Sequence, residues 1–192
     1  MDIFSTPIFG IKLNNSNDIN LKLESFVYEY KKNNKGKNIS NRGGYHTDLI
    51  NNDPVFYEFF EIAKPAILNT LKSIHVKDIS VIGAWINVNG KYAYNTEHCH
   101  PECDLAAVYY IKTPKDSGKI YMNNPIPQAL MNQKLRKTKL NVYSQHLFFD
   151  IAEGSLFIFP GWLFHGVESN NSDQDRISLA FNINIDNFYN NI

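Results

Sequence analysis

Two cysteines, Cys99 and Cys103, are all that the 192 residues contain, so no disulfide framework can carry the fold. Their Cys-x-x-x-Cys spacing supplies half of a four-thiolate zinc site, and no second pair completes it. Charge of one sign is not in excess either. Lys plus Arg and Asp plus Glu number 19 each, which removes the global field that draws proteins onto nucleic acid or acidic membranes and disfavours a nucleic-acid substrate. There is no apolar run long enough to cross a bilayer, no signal-peptide pattern and no internal repeat. The expectation is one domain in a reducing cytoplasm, since this length is too short for two full domains.

The apolar residues that are present follow two periods in turn. Ile3-Phe4 and Ile8-Phe9-Gly10-Ile11, interrupted by Pro7, read as an edge strand. Ser16 is placed to cap a helix over about 17–32, where Ile19, Leu23, Phe26, Val27 and Tyr30 recur at helical spacing before Asn33-Asn34-Lys35-Gly36 ends it. A second helix is expected from Asp53-Pro54 to about Ile74, kinked at Pro65. Its broad apolar face comprises Val55, Phe56, Phe59, Phe60, Ile62, Ala63, Ile67, Leu68 and Leu71. After Lys77 strands are expected, and Asp186–Ile192 is expected to fray. Segment 123–141, rich in Pro, Gln, Asn and Lys, reads as a long loop that can serve as a lid, with Lys134, Arg136, Lys137 and Lys139 as a solvated face. The organisation is α+β and mainly β over 1–192, with helical support at about 16–75 and a strand core at about 78–185.

Three groups of residues carry chemistry. In Asn95-Thr96-Glu97-His98-Cys99-His100-Pro101-Glu102, strand alternation would send His98 and His100 to one side, where two neutral imidazoles can meet one ion. In Phe159-Pro160-Gly161-Trp162-Leu163-Phe164-His165, a histidine from a second strand would close that metal face and leave positions open opposite, as a ferrous oxygenase needs for its co-substrate and O2. From Arg176 to Ile185 the chain alternates strictly, with Arg176, Ser178, Ala180, Asn182 and Asn184 on one face and apolar residues on the other. That polar face begins with a guanidinium and a hydroxyl spaced to grip one carboxylate. Each group alone has a plainer reading. The His-x-His pair can be incidental, His165 can end a strand, Arg176 can pair with Asp173 or Asp175, and the alternating strand can be an outer one with its polar face in water.

Taken together, Trp85-Ile86-Asn87-Val88-Asn89, His98-Cys99-His100-Pro101, Val108-Tyr109-Tyr110-Ile111-Lys112, Gly118-Lys119-Ile120-Tyr121 with Asn124-Pro125, Phe159 to His165, and Arg176 to Asn182 resemble the 2-oxoglutarate/Fe(II)-dependent oxygenases common in marine bacteria and their phages. Ser40-Asn41-Arg42-Gly43-Gly44-Tyr45-His46-Thr47 is similar to the glycine-glycine-aromatic element that precedes the core in that group, and the resemblance covers roughly 38–185. It implies a double-stranded β-helix, a cupin-like jelly-roll with N-terminal supporting helices. It also implies decarboxylation of 2-oxoglutarate to succinate and CO2, coupled to hydroxylation of a bound substrate by O2. The resemblance to prolyl hydroxylases makes His98, His100 and His165 the Fe(II) ligands. Because the wider superfamily usually has His-x-Asp or His-x-Glu, His100, Glu102 and His165 is the alternative set. By the same resemblance Arg176 and Ser178 hold the distal carboxylate of 2-oxoglutarate, Tyr110 turns its hydroxyl toward it, and Asn87 hydrogen-bonds the co-substrate. Ala106-Ala107 stands where the group more often has Ser-Gly.

The leading expectation is therefore an Fe(II)/2-oxoglutarate dioxygenase acting on a small molecule or a protein side chain, in a bacterial cytoplasm or that of an infected host. An exposed edge strand makes a homodimer reasonable. A cupin-like metalloenzyme without 2-oxoglutarate, or a non-catalytic jelly-roll, stands as the alternative, because one fold hosts all three.

Overall fold

A computed structural model describes residues 5–131, 133–137 and 143–189. The chain opens with β1 (Phe9–Lys12) and α1 (Asn17–Asn33), and two short strands follow, β2 (Asn41–Arg42) and β3 (Tyr45–His46). Helix α2 (Pro54–Leu71) leads through a 3-10 turn at Lys72–Ile74 into the long β4 (Val76–Asn89). Then come β5 (Tyr94–His98), β6 (Leu105–Lys112), β7 (Ile120–Asn123), the short α3 (Gln133–Arg136), β8 (His146–Phe149), β9 (Ser155–Pro160), β10 (His165–Val167) and β11 (Arg176–Phe188). The strands make a six-stranded sheet in the order β1-β9-β6-β11-β4-β3 and a five-stranded sheet in the order β2-β5-β10-β7-β8. Among the described residues every strand pairing is antiparallel, as in a jelly-roll.

Period-two patterning decides which face of the larger sheet the helices cover. On β11 the side chains of Ile177, Leu179, Phe181 and Ile183 are fully buried against Phe56, Phe59, Ala63, Ile67 and Leu71 of α2 and Leu23 and Val27 of α1. Phe181 meets Phe56, Phe59 and Phe60 edge-on, with ring centroids 6.1, 6.0 and 6.4 Å away. Each such buried side chain contributes about 2–3 kcal/mol. The opposite face looks inward between the sheets, where Ala106, Val108, Tyr110, Ile120, Met122, Phe159 and Leu163 pack.

Both helices start where their residues suggest, for different reasons. Asp53 caps α2 through its side chain, which accepts from the Val55 N–H at 3.0 Å. Ser16 precedes α1 but makes no side-chain cap; it is buried beside Tyr109. Pro65 is held inside α2, and Ile62, expected on the apolar face, is 44% exposed. Edge strand β1 begins at Phe9, while Ile3 and Phe4 lie outside the described residues.

Three expectations are corrected. The stretch expected as helical support, about 16–75, also holds two strands, β2 and β3, that belong to the sheets, whereas β1 is the edge strand expected at the start. The 123–141 segment is not wholly irregular, because a 3-10 turn at Pro127–Met131 and α3 occupy part of it. Lys134, Arg136 and Lys137 are exposed there, and Lys139 lies outside the described residues. Asp186 does not fray either: β11 continues to Phe188, and the Tyr189 N–H donates to the His75 carbonyl at 2.8 Å. No helix among the described residues is long and apolar enough to cross a membrane.

One corner positions the site. Strand β2 pairs with β5 in the smaller sheet and β3 pairs with β4 in the larger, so the chain changes sheet within Gly43-Gly44. Gly43 has φ +70°, and a Cβ on Gly44 would come within 3.1 Å of the Val88 carbonyl. This crossing brings Ser40, His46 and Thr47 to the mouth of the sandwich.

Candidate metal centre and inner cavity

Three histidines converge between the sheets. His98 ends β5 and His165 begins β10, and the two are direct cross-strand partners with ring centroids 4.4 Å apart. His100 stands 5.1 Å from His98 and 5.2 Å from His165, and one ligand atom from each of the three lies within 4.8 Å of the others. The expected strand alternation does not produce this arrangement. Strand β5 stops at His98, and Pro101 cannot donate to a ladder, so His100 sits in the turn beyond. Its N–H donates to the Gly161 carbonyl at 2.7 Å. A Cβ on Gly161 would lie 2.6 Å from the His100 carbonyl, so only glycine permits the two turns to meet this closely.

Every Nδ1 is occupied by an acceptor. His98 Nδ1 faces the Thr96 carbonyl at 2.8 Å, His165 Nδ1 the Leu163 carbonyl at 2.9 Å, and His100 Nδ1 the Asn182 Oδ1 at 2.6 Å. Oxygen acceptors require protonated Nδ1, which leaves three Nε2 lone pairs, the tautomer a metal ion needs. The Nε2 of His100 is buried and has no partner. Glu102 is exposed on an outer cleft and is not part of the cluster. The donor set thus fits a ferrous ion with open positions.

Burial holds these imidazoles neutral. It lowers His165 to about 3, helped by the neighbouring His98, and His98 to about 4; His100 is lowered for the same reason. Their folded values lie below the ordinary 6.5, so below that pH the unfolded chain binds more protons than the folded one. Stability is therefore full above pH 6.5 and falls as the pH drops toward 4. Metal-free protein is expected to lose about 2 kcal/mol between pH 6.5 and 5.5, about 1 kcal/mol for each of the two imidazoles, because the unfolded imidazole is already half protonated at pH 6.5 and the full slope of about 1.4 kcal/mol per unit is reached only below that window. Urea titrations at both values measure it, and a flat profile would contradict neutral burial.

The face of β11 opposite the helices leads away from the histidines. Asn182, Ala180, Ser178 and Arg176 follow in order, with Asn182 at the His100 end. Ser178 pairs with Asn87 on β4 and Tyr110 on β6, and Asn87 pairs in turn with His46 on β3. One row therefore crosses four strands. An inner cavity lined by the three histidines, Trp85, Asn87, Val108, Ser178 and Ala180, among others, runs along this face. Arg176 and Tyr110 do not line it: Tyr110 is the cross-strand partner of Ser178, and Arg176 stands one same-face step beyond.

Arg176 is 1% exposed and has no carboxylate partner among the described residues. Its Nη1 donates to the Ser117 and Glu168 carbonyls, the latter at 2.8 Å, and its Nη2 is buried without a partner. The expected alternatives are otherwise engaged, Asp173 by Lys91 at 2.6 Å and Asp175 by the Tyr28 hydroxyl at 2.9 Å. Tyr110 Oη and Asn87 Oδ1 are also buried and unpartnered. Burial raises the Tyr110 hydroxyl well above its ordinary value, with the Arg176 charge opposing, so it remains a donor. A buried cation without an anion is costly, and a dicarboxylate reaching beyond this cavity to Arg176 and Tyr110 would supply the missing charge and accept from Nη2 and Oη, whereas Asn87 Oδ1, itself an acceptor, calls for a donor.

Parity between His98, His100 and Tyr110 is no argument for their meeting, because β5 and β6 belong to opposite sheets. Tyr110 nevertheless points between the sheets, packed with Ala106, Val108 and Phe159. Sequence reasoning gave no role to His46, Trp85 or Asn182. His46 stacks on Trp85 at 5.5 Å and 12°, and Trp85 on His100 at 5.6 Å and 15°. Trp85 borders both the inner cavity and an outer cleft of about 350 Å³, whose lining includes Ile39, His46, Leu49 and Glu102.

Residues 83–182 match a family model described as "Putative 2OG-Fe(II) oxygenase". No curated protein matches the chain. Among solved structures, the chain is similar to a Pseudomonas putida prolyl-4-hydroxylase, with 14% identity over 93% of each chain and a TM-score of 0.63. It is also similar to HygX from Streptomyces hygroscopicus with nickel, 2-oxoglutarate and hygromycin B bound, at 12% identity over 94% of this chain and 84% of that one, TM-score 0.63. A Trichoplax adhaerens prolyl hydroxylase in complex with a hypoxia inducible factor peptide is 10% identical over 94% and 84%, TM-score 0.61. At such identities the likeness concerns the fold, a double-stranded β-helix.

Proposed function

The chain belongs to the 2-oxoglutarate/Fe(II) oxygenase family, and from that premise we propose that His98, His100 and His165 hold the ferrous ion while Arg176, Ser178, Tyr110 and Asn87 receive 2-oxoglutarate. The observation that carries this reading is the common tautomer: three Nδ1 atoms tied to oxygen acceptors and three ligand atoms within 4.8 Å of one another. When bound, ferrous iron and 2-oxoglutarate supply the oxidising chemistry, coupling decarboxylation to hydroxylation by O2. The protein's own part is positioning. The imidazoles stay neutral through burial, and the buried guanidinium and the Ser178 hydroxyl are donors for a carboxylate. Trp85 separates the inner cavity from the outer cleft, which we assign to the substrate.

A small molecule or a protein side chain is the substrate class this reading favours, since one structural neighbour is a prolyl-4-hydroxylase and another holds hygromycin B. Two free cysteines inside the metal segment suit a reducing cytoplasm, and edge strands β1 and β8 leave room for a homodimer. A cupin-like enzyme without 2-oxoglutarate would have no use for a buried guanidinium lacking an anion.

The test is anaerobic addition of Fe(II) and then 2-oxoglutarate to the metal-free protein. The expected result is the visible band of a ferrous oxo-acid chelate; iron binding without that band refutes the 2-oxoglutarate site. Tyr110→Phe separates binding from folding. Removing a buried hydroxyl without a partner should stabilise the metal-free protein by about 1 kcal/mol. It should also weaken 2-oxoglutarate about tenfold, the equivalent of about 1.4 kcal/mol for a lost hydrogen bond to a charged group. Denaturation and ligand titration of the same preparation check the opposite signs.

A further inference from the structure

We propose that Asn182 is a positioning residue for the metal site, its amide oxygen selecting the tautomer and ring face of His100. This rests on the reading of the three histidines as metal ligands. His98 and His165 are oriented by their own chain, each Nδ1 meeting a carbonyl two residues upstream. His100 lies past the end of β5 and has no such carbonyl; its acceptor comes from β11, 82 positions away in the chain.

Stacking cannot do this work. Trp85 lies parallel to the His100 ring at 5.6 Å, and a half-turn of the imidazole leaves such a stack unchanged while exchanging nitrogen for carbon at the metal side. Only a directional contact distinguishes the two faces, and the 2.6 Å contact to Asn182 Oδ1 is the one His100 makes through its ring nitrogens. The buried, unpartnered Nε2 argues that the contact serves a ligand rather than the fold, since a purely structural pair would not leave that lone pair desolvated. The neighbours of Asn182 allow it to reach His100. Its cross-strand partners are Gly83 and Ala106, which have little or no side chain to obstruct it. With Oδ1 committed to His100, the remaining polar atom of the amide is its NH2, and Asn182 borders the outer cleft.

The experiment uses Co(II) as the metal and compares wild type with Asn182→Leu and Asn182→Asp. Long-range 15N NMR of the metal-free protein at pH 7.5 reads the His100 tautomer, and anaerobic equilibrium dialysis reads Co(II) affinity. The leucine variant should lose the Nδ1–H tautomer of His100 and bind Co(II) 10–100-fold more weakly, while the aspartate variant keeps both. Urea midpoints of the metal-free proteins separate misfolding from misorientation, and the aspartate variant supplies the folded control should leucine fail. Co(II) affinity within twofold of wild type for a folded leucine variant overturns the proposal. If His98→Ala also leaves Co(II) affinity unchanged, the metal-site reading itself fails; if it abolishes binding while leucine has no effect, only the role of Asn182 does.

Discussion

Replacing Arg176 with leucine is expected to weaken 2-oxoglutarate at least 100-fold while changing Fe(II) affinity less than threefold. Among the described residues the guanidinium is the one buried cation of the inner region, 1% exposed, with Nη2 unpartnered and no carboxylate of theirs paired with it. A bidentate charge-assisted contact in such a site is worth about 3 kcal/mol, which is about 100-fold. The metal should be indifferent, because none of the three imidazoles touches Arg176: their Nδ1 atoms are held by Thr96, Leu163 and Asn182. Lysine at this position should rescue only part of the loss, since a point charge lacks the fork.

Two effects on folding oppose each other in this variant. Leucine removes an uncompensated buried charge, which favours the metal-free state, and strands the Ser117 and Glu168 carbonyls, which disfavours it. Circular dichroism must therefore show the fold intact before the titrations are compared. Parallel calorimetric titrations with metal and with 2-oxoglutarate decide the matter, and equal damage to both would refute the assignment of Arg176.

The features that reached this site from the chain alone are those with strand periodicity. Alternation on β11 put Arg176 and Ser178 on one face, and the structure keeps them there because the other face buries Ile177, Leu179 and Phe181 against the helices. The meeting of His98 and His165 was likewise expected, and they pair across β5 and β10. What local pattern could not reveal is where regularity breaks. His165 and Val167 oppose His98 and Asn95, so β5 carries an extra residue in a bulge, and His100 lies past the strand's end. Tyr110 reached the interior on the opposite sheet, a relation that counting residues along the chain does not encode. Ser16 had the right position for a cap and the wrong surroundings, since burial beside Tyr109 occupies it. Asn182 and Trp85 were visible as members of strands, but their contacts with His100 exist only once two sheets face each other.

His165→Ala is expected to abolish metal binding and, with it, every sign of 2-oxoglutarate chelation, whereas Arg176→Leu removes the second and spares the first. His165 is the most buried of the three imidazoles and lies nearest to His98, at 4.4 Å, so it cannot be bypassed by a shift of the exposed chain. Loss of a ligand must exceed the 10–100-fold cost of losing a residue that merely orients one. Truncation also opens a hole beside Phe159, 4.6 Å from the His165 ring, and costs roughly 2 kcal/mol of metal-free stability at neutral pH. Part of that cost should disappear at pH 5.5, because the variant no longer has to keep this imidazole uncharged. Glu102→Gln is the companion measurement. Its carboxylate is exposed on the outer cleft and outside the histidine cluster, so iron affinity should stay within twofold. A loss as large as that of His165→Ala would instead transfer the ligand role from His98 to Glu102.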